Sequence, residues 1–134
     1  MTAGYSGTPL AAKLGVRADS TVRLVDAPDD FEATLAAPDG AVVRRTGPYK
    51  ADVVVVFVTT YAALAKRVPP LGTAVHPDGS LWVAWPKKSS GVPTDVTEDS
   101  IREVALPLGL VDNKVCAVTD LWSGLRLVWR KERR

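Results

Sequence analysis

The chain has 134 residues, 46% of them hydrophobic and 24% charged, with 17 Lys and Arg against 15 Asp and Glu for a formal net charge of +2. That length reads as one domain, and the apolar share excludes a disordered chain. The small charge excess does not point to nucleic acid or an anionic membrane as partner; one cysteine excludes an internal disulfide framework and a cysteine-based zinc site, and one histidine excludes a mechanism needing two.

The first fifteen residues lack a basic start followed by a long apolar core, so no signal peptide is expected. The longest strongly apolar run, 53–58, is far short of a membrane span. With a lone thiol, the expected compartment is the cytoplasm. Twenty valines stand against one isoleucine. Valine suits a half-buried pleated sheet better than a helix, so the core is expected to be a sheet with helices packed on it.

In chain order, residues 1–18 read as an N-terminal helical arm. Thr8 caps a short helix with Pro9 at its first position, Leu10 and Leu14 stand at i, i+4, and Gly15 stops it. Residues 21–25 read as a strand. Asp29 opens a helix with Glu32 three residues on, a capping-box spacing, and Phe31 and Leu35 form its apolar face. Pro38-Asp39-Gly40 is a turn before a short strand, 41–45. Residues 52–58 are apolar on both faces, as in a central parallel strand.

Thr60 caps the next helix. Leu64, Val68, Leu71 and Val75 continue one face through Pro69-Pro70, which predicts a kinked or broken helix. Pro77-Asp78-Gly79 turns into a strand at 81–85, followed by a polar loop, 86–96. Thr97 caps a further helix with Glu98 and Asp99 in its first turn; Ile101, Val104, Ala105 and Leu108 give its face, and Pro107 with Gly109 ends it. Residues 114–119 and 125–131 form a hairpin.

Alternation of this kind predicts an α/β fold, a mostly parallel Rossmann-like three-layer sheet with a C-terminal antiparallel hairpin. Residues 46–51 alone join the second and third strands, whereas a parallel crossover usually takes a dozen residues or more. The strand at 41–45 is therefore expected to be an antiparallel or irregular edge, with an extended linker back across the sheet as the alternative.

The second half resembles the back half of a class I methyltransferase-type Rossmann fold, and His76-Pro77-Asp78-Gly79-Ser80-Leu81 is similar to the Pro-Gly-Gly turn before its fifth strand. That fold implies S-adenosylmethionine binding through glycines after the first strand. Here the turn is Asp26-Ala27-Pro28-Asp29-Asp30, without glycine, with a proline lacking a donor and two adjacent carboxylates that repel an anion. No Gly-x-Gly-x-x-Gly or Walker loop occurs elsewhere. Binding of S-adenosylmethionine or a dinucleotide in the usual mode is not expected. The whole chain also resembles a family of short bacterial proteins common in actinobacteria and classed as a domain of unknown function. The likeness lies in Ser6-Gly7-Thr8-Pro9-Leu10-Ala11, Trp82-Val83-Ala84-Trp85-Pro86-Lys87-Lys88, Val111-Asp112-Asn113-Lys114-Val115 and Trp122-Ser123-Gly124-Leu125. Membership implies no particular activity.

In open α/β sheets ligands sit beyond the carboxyl ends of the parallel strands. That selects 26–30, 59–61, 86–97 and 120–124, and places Asn113 and Lys114 at the opposite end. Lys87, Lys88, Ser89, Ser90 and Gly91 supply two ammonium groups, two hydroxyls and a flexible backbone able to hold a phosphate or carboxylate, assisted by the helix start at Thr97; the plainer reading is a solvated loop. Trp122, beside Leu121 at the hairpin tip, is either a contact anchor or lid, or core folded back on the sheet. Trp82 and Trp85, three apart on one strand, face opposite sides and pack against helices.

Cys116 reads as an inert mid-strand thiol, and His76 as a helix-end residue interacting with the last carbonyls. Asp29/Asp30 and Glu98/Asp99 read as helix-start acids rather than general-acid pairs. The tail 130–134 reads as a solvated basic end. On the last strand Leu125, Leu127 and Trp129 share one face and Arg126 and Arg130 the other. One wet face suggests an edge strand, whereas the methyltransferase template places this strand inside the sheet.

These features point to a non-catalytic Rossmann-like binding or regulatory module in which Leu121, Trp122 and the 87–97 loop form the contact rim for a protein partner. The alternative is a small-anion or nucleotide-binding enzyme using Lys87, Lys88, Ser89 and Asp95 near the same rim. No cofactor and no metal is expected, a nucleic-acid partner ranks third, and the oligomeric state is not read from the sequence.

Overall fold

A computed structural model describes residues 8–47 and 50–134; the first seven residues of the expected arm lie outside it. Six strands form one sheet: β1 (Thr21–Val25), β2 (Val42–Arg44), β3 (Val53–Phe57), β4 (Ser80–Pro86), β5 (Leu110–Ala117) and β6 (Trp122–Trp129), in the order β2-β1-β3-β4-β6-β5. The first four are parallel, and β6 runs antiparallel to both β4 and β5. The fold class is the α/β class expected. Every residue of β3 and of β4 is buried, because helices cover the middle of the sheet on both sides.

Helices α3 (Tyr61–Val75) and α4 (Glu98–Ala105) cover one face, placing Leu64, Val68, Leu71, Ile101 and Ala105 against Val54, Val56, Val83, Leu125 and Leu127. Helices α1 (Leu10–Leu14) and α2 (Phe31–Leu35) cover the other with Leu14, Phe31 and Leu35 against Val22, Leu24, Val55 and Trp82. Trp82 is fully buried, and its indole N–H donates to the Leu14 carbonyl at 3.0 Å, so the ring carries no orphan donor into the core. Trp85 packs on the α3/α4 face, as the spacing requires. Among the described residues no helix is long and apolar enough to cross a membrane.

Several local expectations are corrected. Strand β2 is parallel to β1, with Thr21 opposite Val42 and Arg23 opposite Arg44. A parallel return is feasible because β2 is only three residues long. A fully extended chain reaches about 3.3 Å per residue, so a connection the length of 45–52 can outreach one short strand plus two strand spacings of about 4.8 Å. Helix α3 runs unbroken through Pro69 and Pro70. Both prolines and the positions four before them, Ala65 and Lys66, are exposed, so water can take the carbonyls that lose their helical donors while the buried face holds the helix together.

The α1 start is Pro9 without a side-chain cap, rather than Thr8. The α2 N-cap is Asp30 rather than Asp29, also without a side-chain hydrogen bond, and Glu32 pairs with Arg45 instead of closing a capping box. Strand β5 begins at Leu110, and Asn113 and Lys114 lie at a register shift in its middle rather than at an end of the sheet. Strand β6 is interior, as the methyltransferase template has it, so its arginines do not guard an edge. His76 is the C-cap of α3 as expected, but through its backbone N–H, which donates to the Thr73 carbonyl at 3.2 Å; its ring Nε2 donates to the Arg133 carbonyl at 2.6 Å, and the ring meets Trp129 edge-on. The basic tail is exposed yet ordered into a 3₁₀ turn, with Arg134 Nε donating to the Trp129 carbonyl.

Candidate functional site

The carboxyl ends of β1, β3 and β4 carry the turns where an α/β sheet ordinarily meets its ligand. In this chain those turns are occupied by its own side chains. After β1, Asp26 takes the left-handed conformation at φ 57°, a position glycine usually fills. Its carboxylate pairs with Arg67 of α3 at 3.0 Å. Arg45, one residue beyond β2, reaches over the same turn. Its guanidinium donates to the carbonyls of Ala27 (2.9 Å) and Pro28 (2.6 Å) and grips both carboxylate oxygens of Glu32 at 2.6 Å. The Arg45 hydrogen bond holds the Glu32 carboxyl down at about 2, and Glu32 in turn raises the guanidinium further.

At the start of α3, the Thr60 hydroxyl accepts from Ala63 N at 3.1 Å, and the Asp95 carboxylate accepts the Tyr61 N–H at 2.7 Å. The Thr94 hydroxyl donates to the Thr59 carbonyl at 2.7 Å, which stitches the long loop to this turn. The Tyr61 hydroxyl donates to Glu103 at 3.2 Å, and desolvation and that carboxylate both raise its pKa. The start of α4 is closed by reciprocal Thr97 and Ser100 bonds, and Glu98 and Asp99 both pair with Arg102 at 3.0 Å, so it does not assist an anion in the loop.

The sequence-selected residues divide accordingly. Lys88, Ser89 and Ser90 form a 3₁₀ turn closed by Gly91, and the Ser90 hydroxyl donates to the Lys87 carbonyl at 2.6 Å while accepting from Val92 N. Among the described residues neither Lys87 nor Lys88 makes an ion pair. The Lys87 N–H donates to the Leu121 carbonyl at 2.9 Å, so this loop and the hairpin tip stand side by side. Leu121 is 52% exposed. Trp122 is half-buried, its ring edge-on to Phe57 at 4.9 Å, and Phe57 in turn meets Phe31. Lys87, Lys88, Leu121 and Trp122 are thus brought together, whereas Asp95 is drawn off to α3. Cys116 is half-buried in β5, and burial raises its thiol pKa.

Sequence reasoning missed Arg45, Arg67 and the capping role of Asp95. No local signal marks an arginine as the partner of a carbonyl 18 positions earlier. The turn after β1 does not fit a nucleotide held in the Rossmann manner: Pro28 has no N–H, two carbonyls are bound to Arg45, and three carboxylates stand in five residues.

No protein-family model and no curated protein matches the sequence. Solved structures do match in fold. An O-methyltransferase from neocarzinostatin biosynthesis, in complex with S-adenosylmethionine and 2-hydroxy-5-methyl naphthoic acid, superposes with a TM-score of 0.64 at 15% identity over 89% of this chain and 50% of that one. Magnesium protoporphyrin IX methyltransferase from Synechocystis PCC 6803 with bound S-adenosylmethionine gives 0.59 at 11% identity, over 90% and 74%. A protein of the NADB-Rossmann superfamily from Streptococcus agalactiae gives 0.58 at 9% identity, over 95% and 70%. The chain therefore has the methyltransferase-like Rossmann fold, and it spans half the length of the O-methyltransferase.

Proposed function

We propose that this protein is a methyltransferase-fold binding module that has given up cofactor chemistry and engages a protein partner at the carboxyl ends of its strands. One observation carries the reading: the turn after β1 and the start of α3 are filled by Arg45, Arg67 and Asp95, the chain's own side chains. A cofactor bound in the usual manner would have to displace two bidentate arginine contacts and a helix cap.

The contact surface in this reading is Lys87, Lys88, Leu121 and Trp122. An exposed leucine and a half-exposed tryptophan beside two unpaired ammonium groups suit a partner that presents an apolar side chain next to a carboxylate.

Calorimetry and thermal shift against S-adenosylmethionine and S-adenosylhomocysteine test the first half. A ligand at 100 times its dissociation constant stabilises by about 2.7 kcal/mol, several degrees for a domain of this size. No shift and no heat is the expected result; saturable micromolar binding of either compound overturns the reading. A photo-crosslinking residue at position 121 tests the second half. It is expected to trap a discrete partner in cells that the same probe at position 39 does not trap and that Lys88→Glu abolishes. Equal trapping from both positions overturns the assignment of the rim.

A further inference from the structure

At the opposite end of the sheet, where the parallel strands begin, lies a cleft of about 660 Å³. Its wall includes the start of β1 and of β4, the end of α3 and the side chains of Arg17, Lys50 and Arg126. Two serines, Ser20 and Ser80, are the buried polar residues among those described, and both line this cleft. Arg126 is partly buried, and its Nε donates to the Ser80 hydroxyl oxygen at 2.8 Å.

Arg126 makes no ion pair among the described residues. Its register partner on β5 is Lys114, a second cation on the same face of the sheet. Like charges directly opposite on neighbouring strands are destabilising. Lys114 turns its ammonium to the Lys13 carbonyl at the end of α1, at 3.3 Å, and among the described residues the Arg126 side chain bonds through Nε alone, to Ser80. Arg126 lines the cleft, where an anion can meet its guanidinium.

The acids of the cleft do not supply that anion. Asp19, Asp52 and Asp78 are exposed, and Asp52 Oδ2 is taken by the Thr21 N–H at 2.8 Å. The last carbonyls of α3 are likewise engaged: Thr73, Ala74 and Val75 accept from His76, Ala51 and Gly79.

We infer that this cleft binds a phosphate-bearing small molecule, with the phosphate on Arg126, Ser80 and Arg17 and the remainder toward Lys50 and the exposed carboxylates. Guanidinium groups match phosphate oxygens in paired hydrogen bonds, and the buried Ser80 hydroxyl has its own hydrogen to donate. The rim carboxylates suit hydroxyl or amine groups on the body of the ligand. This site is independent of the partner rim, which lies at the other end of the strands.

The test is an amide NMR titration of the full chain with pyrophosphate at constant ionic strength, with citrate as the carboxylate comparator. Saturable shifts are expected at Gly79, Ser80 and Arg126. Arg126→Gln and the exposed Arg17→Gln should each weaken binding about tenfold, the loss typical of a charged hydrogen bond, while Lys66→Gln on the outer face of α3 leaves it unchanged. Arg17→Gln keeps the test decisive if Arg126→Gln fails to fold. Absence of saturation, shifts confined to 87–97, binding by both arginine variants as tight as by the parent chain, or binding of citrate without pyrophosphate overturns the inference.

Discussion

The Asp95 carboxylate accepts the backbone N–H of Tyr61 across 34 positions of sequence. Tyr61 is the first residue of α3, so this N–H is one of the donors a helix start leaves unpaired, and it sits at the positive end of the helix dipole. In nucleotide-binding α/β proteins a ligand phosphate takes such a place. Here a side chain from the loop after β4 takes it, and the loop is thereby fixed over the turn after β3.

Removing that carboxylate uncaps α3. Asp95→Ala is expected to cost about 1 kcal/mol, the usual loss for a helix cap, and to lower Tm by a few degrees in a domain of this size. Asp95→Asn keeps an acceptor and should lose less. Amide hydrogen exchange gives the local readout: the Tyr61 N–H should exchange faster in Asp95→Ala. Unchanged exchange there would mean the cap is not made in solution.

Glu32 provides a pH signature. Its carboxyl lies at about 2 in the folded chain against an ordinary 4.5, chiefly because Arg45 donates to it. A folded pKa below the unfolded one favours the ionised native state. The stabilisation is therefore present above about 4.5 and lost as pH falls toward 2. Glu32→Gln should flatten the acid limb of a Tm–pH curve within that window, and salt should shrink the difference because the pair is solvent-exposed. Superimposable acid limbs for the two proteins would show that the Arg45 grip is not formed.

Gly124 tests the packing of β6 against β4. A Cβ there would stand 2.6 Å from Val118 Cγ2 and 3.2 Å from Trp82 Cε3, both in the core under α1 and α2. Gly124→Ala is expected to destabilise by about 1–3 kcal/mol through overpacking, read as a fall in Tm. Combined with Val118→Ala, the two losses should sum to less than their separate values, because the second change vacates the space the first one fills. Strict additivity would remove the steric explanation.

Much of this fold is legible locally. The valine-rich runs mark β1 and β3, Thr60 and Thr97 mark the starts of α3 and α4, and the absence of glycine in 26–30 marks the altered turn. Leu121, Trp122, Lys87 and Lys88 are placed at one end of the sheet from strand order alone. Asp95 shares their loop, yet its carboxylate accepts the Tyr61 N–H at the start of a helix 34 residues earlier.

The sequence by itself determined the alternation of strands and helices, the Thr60 and Thr97 caps and the buried faces, since each of these rests on contacts within about one turn or one pleat. Tertiary structure alone decided the parallel setting of β2, the interior place of β6 and the unbroken course of α3 through two prolines. It also decided that Arg45 would close the turn after β1 and that Arg126 would face Ser80, 46 residues away, in the cleft at the far end. Those outcomes depend on which strands become neighbours, and sheet order is set by the packing of the whole chain rather than by the residues of any one segment.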